Sequence, residues 1–307
     1  MPTHSVTVRA PAKVNIELGV GGRREDGFHE LANVFMAVSA YDDITVSRSE
    51  GLSVTASGPR AERVPEDESN LAAQAAALLA KHAGIEPDVH INIVKRLPVA
   101  GGMAGGSADA AGALIACDAL WGLGLKQGVL MSLAAELGSD VPFSLLGGAA
   151  LGLGRGELLT PIDCAGTYHW VFAIADFGLS TPEVFQRLER QRRDSKLPFS
   201  AEDIPAPQPS PAVLDALARG DVPALAHSLS NDVEPTATAL RPELIRTLQA
   251  GKSAGALASL LCGTGATTAF LVLDEPAANR ISRQLMASGT CASTLIAHGP
   301  VAGPLPL

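Results

Sequence analysis

Residues 98–109 read PVAGGMAGGSAD, and this glycine-rich stretch decides how the rest of the chain is interpreted. It lies between a predicted short strand at 90–94 and a predicted helix at 107–121. Glycines allow backbone N–H groups to surround phosphate oxygens, and the N-terminus of the following helix adds partial positive charge. The stretch therefore predicts a phosphate-binding loop, although a strand–helix turn that only permits tight packing would also be rich in glycine.

The spacing of these glycines excludes two common nucleotide-binding motifs. Four residues separate Gly101 from Gly106, as in a P-loop, but Ser107 follows where a P-loop has lysine. The stretch contains no G-x-G-x-x-G spacing, which excludes the dinucleotide fingerprint. A phosphate loop without its own lysine needs a cation from elsewhere in the chain.

Three other segments offer groups that would complete a site. Lys13 interrupts an otherwise apolar strand, Asp140 precedes Pro142 at a predicted helix start, and residues 261–267 (LCGTGAT) form a second glycine turn. Each has a structural alternative: an edge-strand lysine pointing to water, a helix-start acid, and a tight hairpin or packing turn.

The composition limits the class of protein. The 307 residues carry a net charge of −9 and are 47% hydrophobic, enough for two domains with sizeable cores. No basic run is present, so we expect no nucleic-acid partner. Apolar stretches are too short for a membrane span, residues 1–5 lack a signal-like apolar segment, and the four separated cysteines form no C-x-x-C pair. We expect a cytoplasmic protein with no membrane partner and free thiols.

The pattern along the chain predicts an α+β protein with domains at 1–155 and 156–307. Residues 191–211 are charged and then proline-rich, which predicts an exposed loop, and the tail at 299–307 is expected to fray. Residues 5–20 predict a strand, a break at 10–13 and a second strand. Further strands are predicted at 31–39, 44–48, 170–175 and within 259–273, and helices at 70–83, 107–121, 129–137, 211–219, 221–229, 242–254 and 276–288.

Residues 11–15 (PAKVN), the loop at 98–107 and the turn at 263–266 (GTGA) occur in the order typical of the GHMP kinases, and the chain resembles that superfamily. Residues 24–31 (REDGFHEL) and 137–142 (LGSDVP) resemble, more narrowly, its diphosphocytidyl-methylerythritol kinases. The resemblance spans nearly the whole chain. It implies the two-domain GHMP kinase fold with the active site in the cleft between the domains. It also implies ATP with Mg²⁺, and a diphosphocytidyl alcohol of the non-mevalonate isoprenoid pathway as the phosphoryl acceptor.

The resemblance also implies roles for individual residues. Asp140 matches the catalytic aspartate of the family, and Lys13 matches the lysine beside it. The positions that match the ATP site are Pro98, Gly101, Gly102, Met103, Ala104, Gly105, Gly106 and Ser107, with Lys95 and Asn70 nearby and Ser107 as the candidate metal ligand. The positions that match the site of the cytidine-bearing substrate are Asn15, Phe28, His29, Phe185, Asp140, Gly263, Thr264 and Gly265.

The sequence departs from the family pattern at two positions. Ala108 stands where many relatives carry a second serine, and Phe28 stands where tyrosine is common. The first removes a hydroxyl from the loop, and the second removes a phenol but keeps the ring. Neither alters Lys13 or Asp140, and a carboxylate beside a lysine stays ionised and able to accept a proton.

Two other functions remain open at this point. A homoserine or mevalonate kinase would fit the glycine loop equally well, but not the segment at 26–29 (DGFH). A non-catalytic relative that only binds nucleotide is expected to have lost the groups at Lys13 and Asp140, both of which are present. The sequence leaves a monomer and a homodimer as equal alternatives.

Overall fold

The computed structural model describes residues 5–195 and 204–307. In chain order the strands are β1 (Ser5–Arg23), β2 (His29–Arg48), β3 (Ser53–Ser57), β4 (Val89–Val94), β5 (Ala149–Gly154), β6 (Leu158–Pro161), β7 (Tyr168–Ile174), β8 (Ser230–Asn231), β9 (Ala258–Leu261), β10 (Thr268–Val272), β11 (Ser293–Gly299) and β12 (Leu305–Pro306). The helices are α1 (Leu71–Ala83), α2 (Gly105–Trp121), α3 (Gln127–Leu137), α4 (Val141–Leu146), α5 (Thr181–Asp194), α6 (Pro211–Arg219), α7 (Val222–Ser228), α8 (Glu234–Leu240), α9 (Glu243–Ser253) and α10 (Glu275–Ser288), with a short 3-10 turn at Ala61–Arg63.

The first sheet is built on two long antiparallel strands, β1 and β2, which pair from Ser5 opposite Ser47 to Arg23 opposite His29. The predicted break at 10–13 and the predicted separation of 31–39 from 44–48 are wrong, because both strands run through. A register shift between Pro11 and Ala12 accommodates the proline, since a bulge tolerates a residue that donates no ladder hydrogen bond.

The other strands of this sheet extend it on both sides. The spatial order is β12-β1-β2-β4-β3, and β5 pairs with β2, β6 with β5, and β8 with β1. The helices α1, α2 and α4 lie against it, α3 packs on these helices, and α2 approaches the sheet closely. A Cβ atom built on Gly112 of α2 would lie only 2.7 Å from Cδ1 of Ile44, so this glycine is needed for close packing.

The second sheet has the antiparallel order β11-β7-β10-β9. One face packs under α9 and α10 through a small core that includes Val171, Phe270 and Ile281. The opposite face adds Trp170 and Phe172 to the main core of the first sheet. The predicted helices at 70–83, 107–121, 129–137, 211–219, 221–229, 242–254 and 276–288 are confirmed within two residues at each end, whereas β3, β5, β6, β8, β11, β12 and α8 were not predicted.

The expected fraying of the tail is wrong. Ala37 and Val301 are joined by a backbone hydrogen bond of 3.1 Å, Gly148 donates to the Val301 carbonyl, and β12 pairs with β1. These bonds pair backbone groups of the tail with the first sheet, and such pairing keeps a chain terminus ordered. Of the predicted loop at 191–211, residues 191–194 are helical and residues 196–203 lie outside the described residues.

The division into domains at residue 155 stays a prediction. Because β6, at Leu158–Pro161, belongs to the first sheet, we propose that the first domain extends to Pro161 and that the tail returns to it. Among helices of the described residues, none combines the length and apolar character needed to cross a membrane.

Candidate active site

A cavity of about 780 Å³ opens between the first sheet and the elements that follow β7. We call it the cleft. Its floor is formed by β1 and β2, one wall by the glycine loop at 98–107, and a second wall by Ser139 and Asp140. The helix α5 and the turn at 263–264 complete it. Segments far apart in the sequence therefore converge on one volume large enough for two small molecules.

Most of the predicted site residues line this cleft. They are Lys13, Asn15, Phe28, His29, Pro98, Gly101, Gly102, Ala104, Gly105, Gly106, Ser107, Asp140, Phe185, Gly263 and Thr264. Met103 points into the core, although its carbonyl accepts a hydrogen bond from the Lys13 amide. Gly265 lies beside Leu179 and Leu261, behind the lining of the cleft.

The glycine loop has an unusual backbone conformation. Ala100 and Ala104 have positive φ angles of 53° and 56°, and such non-glycine outliers cluster at ligand-binding sites. A Cβ atom on Gly102 would lie 1.9 Å from the Cys262 carbonyl oxygen, so the loop is packed against the second glycine turn. The packing explanation is therefore correct for Gly102, but Gly106 faces the cleft and does not need to be glycine for packing.

The N-terminus of α2 lies at the end of this loop. The helix begins at Gly105, and among the described residues no side chain caps it at Ala104. The first turn, which includes Gly106 and Ser107, lines the cleft. A 17-residue helix presents unpaired N–H groups and partial positive charge there, which suits phosphate oxygens.

Lys13 is buried in the cleft wall, so the alternative of a solvent-exposed edge lysine is wrong. Its Nζ atom donates a hydrogen bond of 2.7 Å to Oδ1 of Asn15 and lies 3.6 Å from Oδ2 of Asp140. The Phe35 ring centroid is 5.6 Å away. Asp140 precedes α4, yet in the described part of the chain its side chain makes no capping hydrogen bond. Its role as a helix-start acid is therefore unsupported.

An aromatic group lies at the other end of the cleft. The His29 and Phe185 rings stack with centroids 4.9 Å apart, and burial lowers the pKa of His29. The Nε2 atom of His29 has no hydrogen-bond partner among residues 5–195 and 204–307, and it lies 3.8 Å from a Glu189 oxygen. The Phe28 ring is half exposed, and the guanidinium carbon of Arg155 lies 4.9 Å from its centroid.

The side chains of Lys95 and Asn70 do not line the cleft, and their role at the nucleotide site stays a prediction. Lys95 is 1% exposed, and its Nζ atom forms ion pairs with Asp42 at 2.7 Å and with Asp109 at 2.5 Å. Burial raises the pKa of Asp109 to about 7, with Lys95 opposing the shift. The Asn70 amide caps α1 by accepting from Ala72 N, and it donates to the Pro65 carbonyl. Both side chains are already committed to structural contacts.

Several lining residues were not predicted from the sequence. Two of them are Asn33 and Arg155. The others lie on α5 or beside it: Thr181, Gln186, Glu189 and Arg23. A polar residue inside the apolar strand at 31–39 was an available signal for Asn33. The charged run that contains Glu189 gave no comparable signal, because a charged helix face is usually solvated.

Comparison with known proteins gives a consistent result. The model of the GHMP kinases N terminal domain matches residues 70–148, and that of the GHMP kinases C terminal matches residues 213–290. The chain is 55% identical to a 4-diphosphocytidyl-2-C-methyl-D-erythritol kinase of Streptomyces avermitilis over 97% of this chain and 98% of the relative. It is 52% identical to the protein of the same name from Mycolicibacterium smegmatis, over 98% and 92%.

Solved structures agree in fold. A crystal structure of 4-(cytidine 5'-diphospho)-2C-methyl-D-erythritol kinase superposes with a TM-score of 0.75 at 33% identity, over 95% of this chain and 98% of the other. The L. major mevalonate kinase superposes with a TM-score of 0.74 at 16% identity, over 99% of both chains. At that lower identity the similarity extends to the fold alone.

Proposed function

The chain belongs to the GHMP kinases and, within them, to the 4-diphosphocytidyl-2-C-methyl-D-erythritol kinases, and we propose that it phosphorylates the 2-hydroxyl group of that alcohol with ATP. The reaction supplies isoprenoid precursors in the non-mevalonate pathway. The observation that carries the proposal is one cleft that joins a phosphate loop, the Lys13–Asp140 pair and an aromatic pocket.

The ATP phosphates fit the loop end of the cleft. The backbone of Gly105, Gly106 and Ser107 forms the first turn of α2 and faces the cavity. Because this helix end carries partial positive charge, it stabilises the phosphates in a protein whose overall charge is −9. Lys13 adds a full positive charge across the cleft, which replaces the lysine that the loop lacks.

Asp140 and Lys13 form the catalytic pair of the proposal. The substrate hydroxyl oxygen attacks the γ-phosphorus of ATP, the bond from that phosphorus to the bridging oxygen breaks, and ADP leaves. The hydroxyl proton passes to the carboxylate of Asp140. Lys13 holds that carboxylate and offsets the charge on the transferring group, since phosphoryl transfer depends on positioning and charge stabilisation.

The residues present fit a magnesium ion held mainly by ATP. Within the described ranges no group of three or more His, Cys, Asp or Glu side chains could bind a metal. Mg²⁺ at nucleotide sites commonly uses one or two protein oxygens together with substrate phosphates. The hydroxyl of Ser107 lines the cleft and would hold it, and the bound ion would neutralise phosphate charge.

The cytosine ring fits the aromatic end. Phe28 offers a half-exposed ring face, while the stacked His29 and Phe185 rings provide a flat apolar wall. The Glu189 carboxylate, which lines the cleft beside His29, supplies a polar group for the edge of a base. Stacking on aromatic side chains with a polar edge contact is how single bases are recognised.

A coupled ADP-release assay on the purified chain tests this function. The acceptors are the diphosphocytidyl alcohol, mevalonate, homoserine and no acceptor, each with ATP and Mg²⁺. We expect turnover with the first alone. Turnover with mevalonate or homoserine instead would assign another GHMP activity, and ATP binding without turnover on any acceptor would favour a non-catalytic relative.

We further propose that the protein acts in the cytoplasm. All four cysteines, Cys117, Cys164, Cys262 and Cys291, are free thiols, as expected in a reducing compartment. For the oligomeric state, a monomer or a homodimer stays the prediction.

A further inference from the structure

Lys13 of the catalytic pair is linked to two other buried polar side chains, Asn15 and Asn33, by a chain of hydrogen bonds. Lys13 and Asn15 lie two residues apart on β1, so they share a face of the strand. Phe35 of β2 is opposite Asn15, and Asn33 lies two residues from Phe35, diagonally across from Asn15. Lys13, Asn15 and Asn33 are 5%, 2% and 3% exposed. Lys13 donates to Oδ1 of Asn15 at 2.7 Å, and Nδ2 of Asn15 donates to Oδ1 of Asn33 at 2.9 Å.

The donors and acceptors available to these residues fix the direction of each hydrogen bond in the chain. An ammonium group has only donors, so the Asn15 atom that faces Lys13 must be its oxygen. The Asn15 NH₂ group then faces Asn33, and the facing atom of Asn33 must again be an acceptor. If Asn33 offered no acceptor, the buried Asn15 NH₂ group would be left unpaired, and the Asn15 side chain could shift toward another acceptor and away from Lys13.

We propose that Asn33 is a positioning residue for phosphoryl transfer: it holds the Asn15 amide in the one orientation that lets its oxygen fix Lys13 beside Asp140. Lys13 depends on this support because Asp140 Oδ2, at 3.6 Å, is beyond hydrogen-bond distance. The other contact of Lys13, the Phe35 ring, is non-directional by comparison. The inference rests on the proposed function, because its effect is read as turnover.

A matched pair of substitutions tests it. Asn33→Leu removes the acceptor at nearly constant volume, whereas Asn33→Asp keeps an acceptor oxygen in the same place. We expect Asn33→Leu to lower kcat about tenfold or more, as loss of a buried hydrogen-bond partner predicts, with the KM for ATP unchanged within about twofold. Asn33→Asp should retain most of the wild-type kcat. Thermal unfolding of both variants checks that they fold.

A second pair tests the orientation itself. In the Asn15→Asp background both side-chain oxygens are acceptors, so no orientation has to be held. Adding Asn33→Leu there should lower kcat less than about threefold, against about tenfold in the wild-type background. Equal losses in both backgrounds would overturn the proposal, because Asn33 would then act by some route other than Asn15.

The remaining outcomes are equally informative. If Asn33→Leu leaves kcat intact, or if it raises only the KM for the alcohol, Asn33 is not a positioning residue for Lys13. If Asn33→Leu does not fold, the proposal rests on Asn33→Asp and is overturned when that variant loses as much kcat as Asn15→Ala. Failure of the proposed function itself would be seen separately, as absent turnover of the diphosphocytidyl alcohol by the wild-type chain.

Discussion

The Lys13 ammonium lies 3.6 Å from Oδ2 of Asp140, close enough for an ion pair but beyond a hydrogen bond. Lys13 donates its short hydrogen bond to Asn15 instead. The Asp140 side chain is 37% exposed in the cleft, so its oxygens are accessible to a substrate hydroxyl. This geometry separates the two tasks of the pair, since the lysine supplies charge while the carboxylate is left to accept a proton.

Asp140→Asn should abolish most of the turnover without preventing binding. The amide keeps the shape of the side chain but is a far weaker proton acceptor, so kcat should fall by about two to four powers of ten. Lys13→Met should also lower kcat, and the double variant should lose less than the product of the single losses because the two groups act together. Steady-state kinetics with both substrates measures this.

The matched control for Asp140 is Asp163→Asn, which removes one negative charge from an exposed position outside the cleft. It should leave kcat and both KM values unchanged. A folded Asp140→Asn protein with near-normal turnover would show that positioning and electrostatics account for catalysis without a base.

Gly106→Ala separates phosphate binding from loop packing. A Cβ atom there would contact only Cδ1 of Leu71, at an ordinary 3.5 Å, but it would project into the cleft where the phosphate oxygens are expected. We expect the KM for ATP to rise about tenfold if one phosphate contact is lost, with no loss of thermal stability. Gly102→Ala cannot make this distinction, because its Cβ would collide with the Cys262 carbonyl.

Gly128→Ala is the control for Gly106→Ala, since it is also in a first helical turn and no described atom lies within 4 Å of its Cβ position. Both variants should be as stable as the wild type or more stable, because alanine restricts the unfolded chain. An unchanged KM for ATP in Gly106→Ala would argue that the phosphates bind elsewhere.

The sequence was sufficient for the parts of the site that depend on local motifs. The loop at 98–107 and the segment containing Asp140 each combine a turn with a helix start, and their residue types carry the chemistry. Helix bounds were also predictable, because apolar periodicity and capping residues are local.

The sequence was insufficient where pairing across the fold decides the role of a residue. The amide of Asn33 and the tail at 301–307 form hydrogen bonds with residues far away in the sequence, and no local pattern predicts those partners. Lys95 is the clearest case, since the resemblance to the family places it near the nucleotide. Its ammonium is instead enclosed by Asp42 and Asp109, which only the packing of β2, β4 and α2 brings together.

Lys95→Met should therefore lower the free energy of unfolding more than it weakens ATP binding. Removing the cation leaves two buried carboxylates without their counter-ion, which typically costs about 3–5 kcal/mol in the free energy of unfolding. The exposed Lys126→Met should change that free energy by less than about 0.5 kcal/mol. Denaturant unfolding of the two variants gives the comparison. A stable Lys95→Met protein with weakened ATP binding would instead support a direct nucleotide contact by Lys95.

The contact between Arg155 and Phe28 yields the last prediction. The guanidinium carbon lies 4.9 Å from the ring centroid, on a ring that is 50% exposed and lacks the phenol that is common at this position in the family. Arg155 is itself held by Glu157, which accepts hydrogen bonds from its backbone amide and its Nε atom. The arginine therefore covers one face of Phe28, and the other face remains for the cytosine.

Arg155→Met keeps an unbranched apolar stem but removes the charge that holds the ring. A cation–π contact at such a site is worth about 0.5–1 kcal/mol, so the KM for the diphosphocytidyl alcohol should rise about two- to fivefold. Phe28→Leu should raise it about five- to a hundredfold, because stacking on an aromatic contributes about 1–3 kcal/mol per base. The double variant should lose less than the product of the two, since Arg155 acts through Phe28. Arg219→Met, at an exposed position outside the cleft, should change neither KM. Equal effects of Arg155→Met on the KM for ATP and the KM for the alcohol would show that Arg155 does not select the cytidine end.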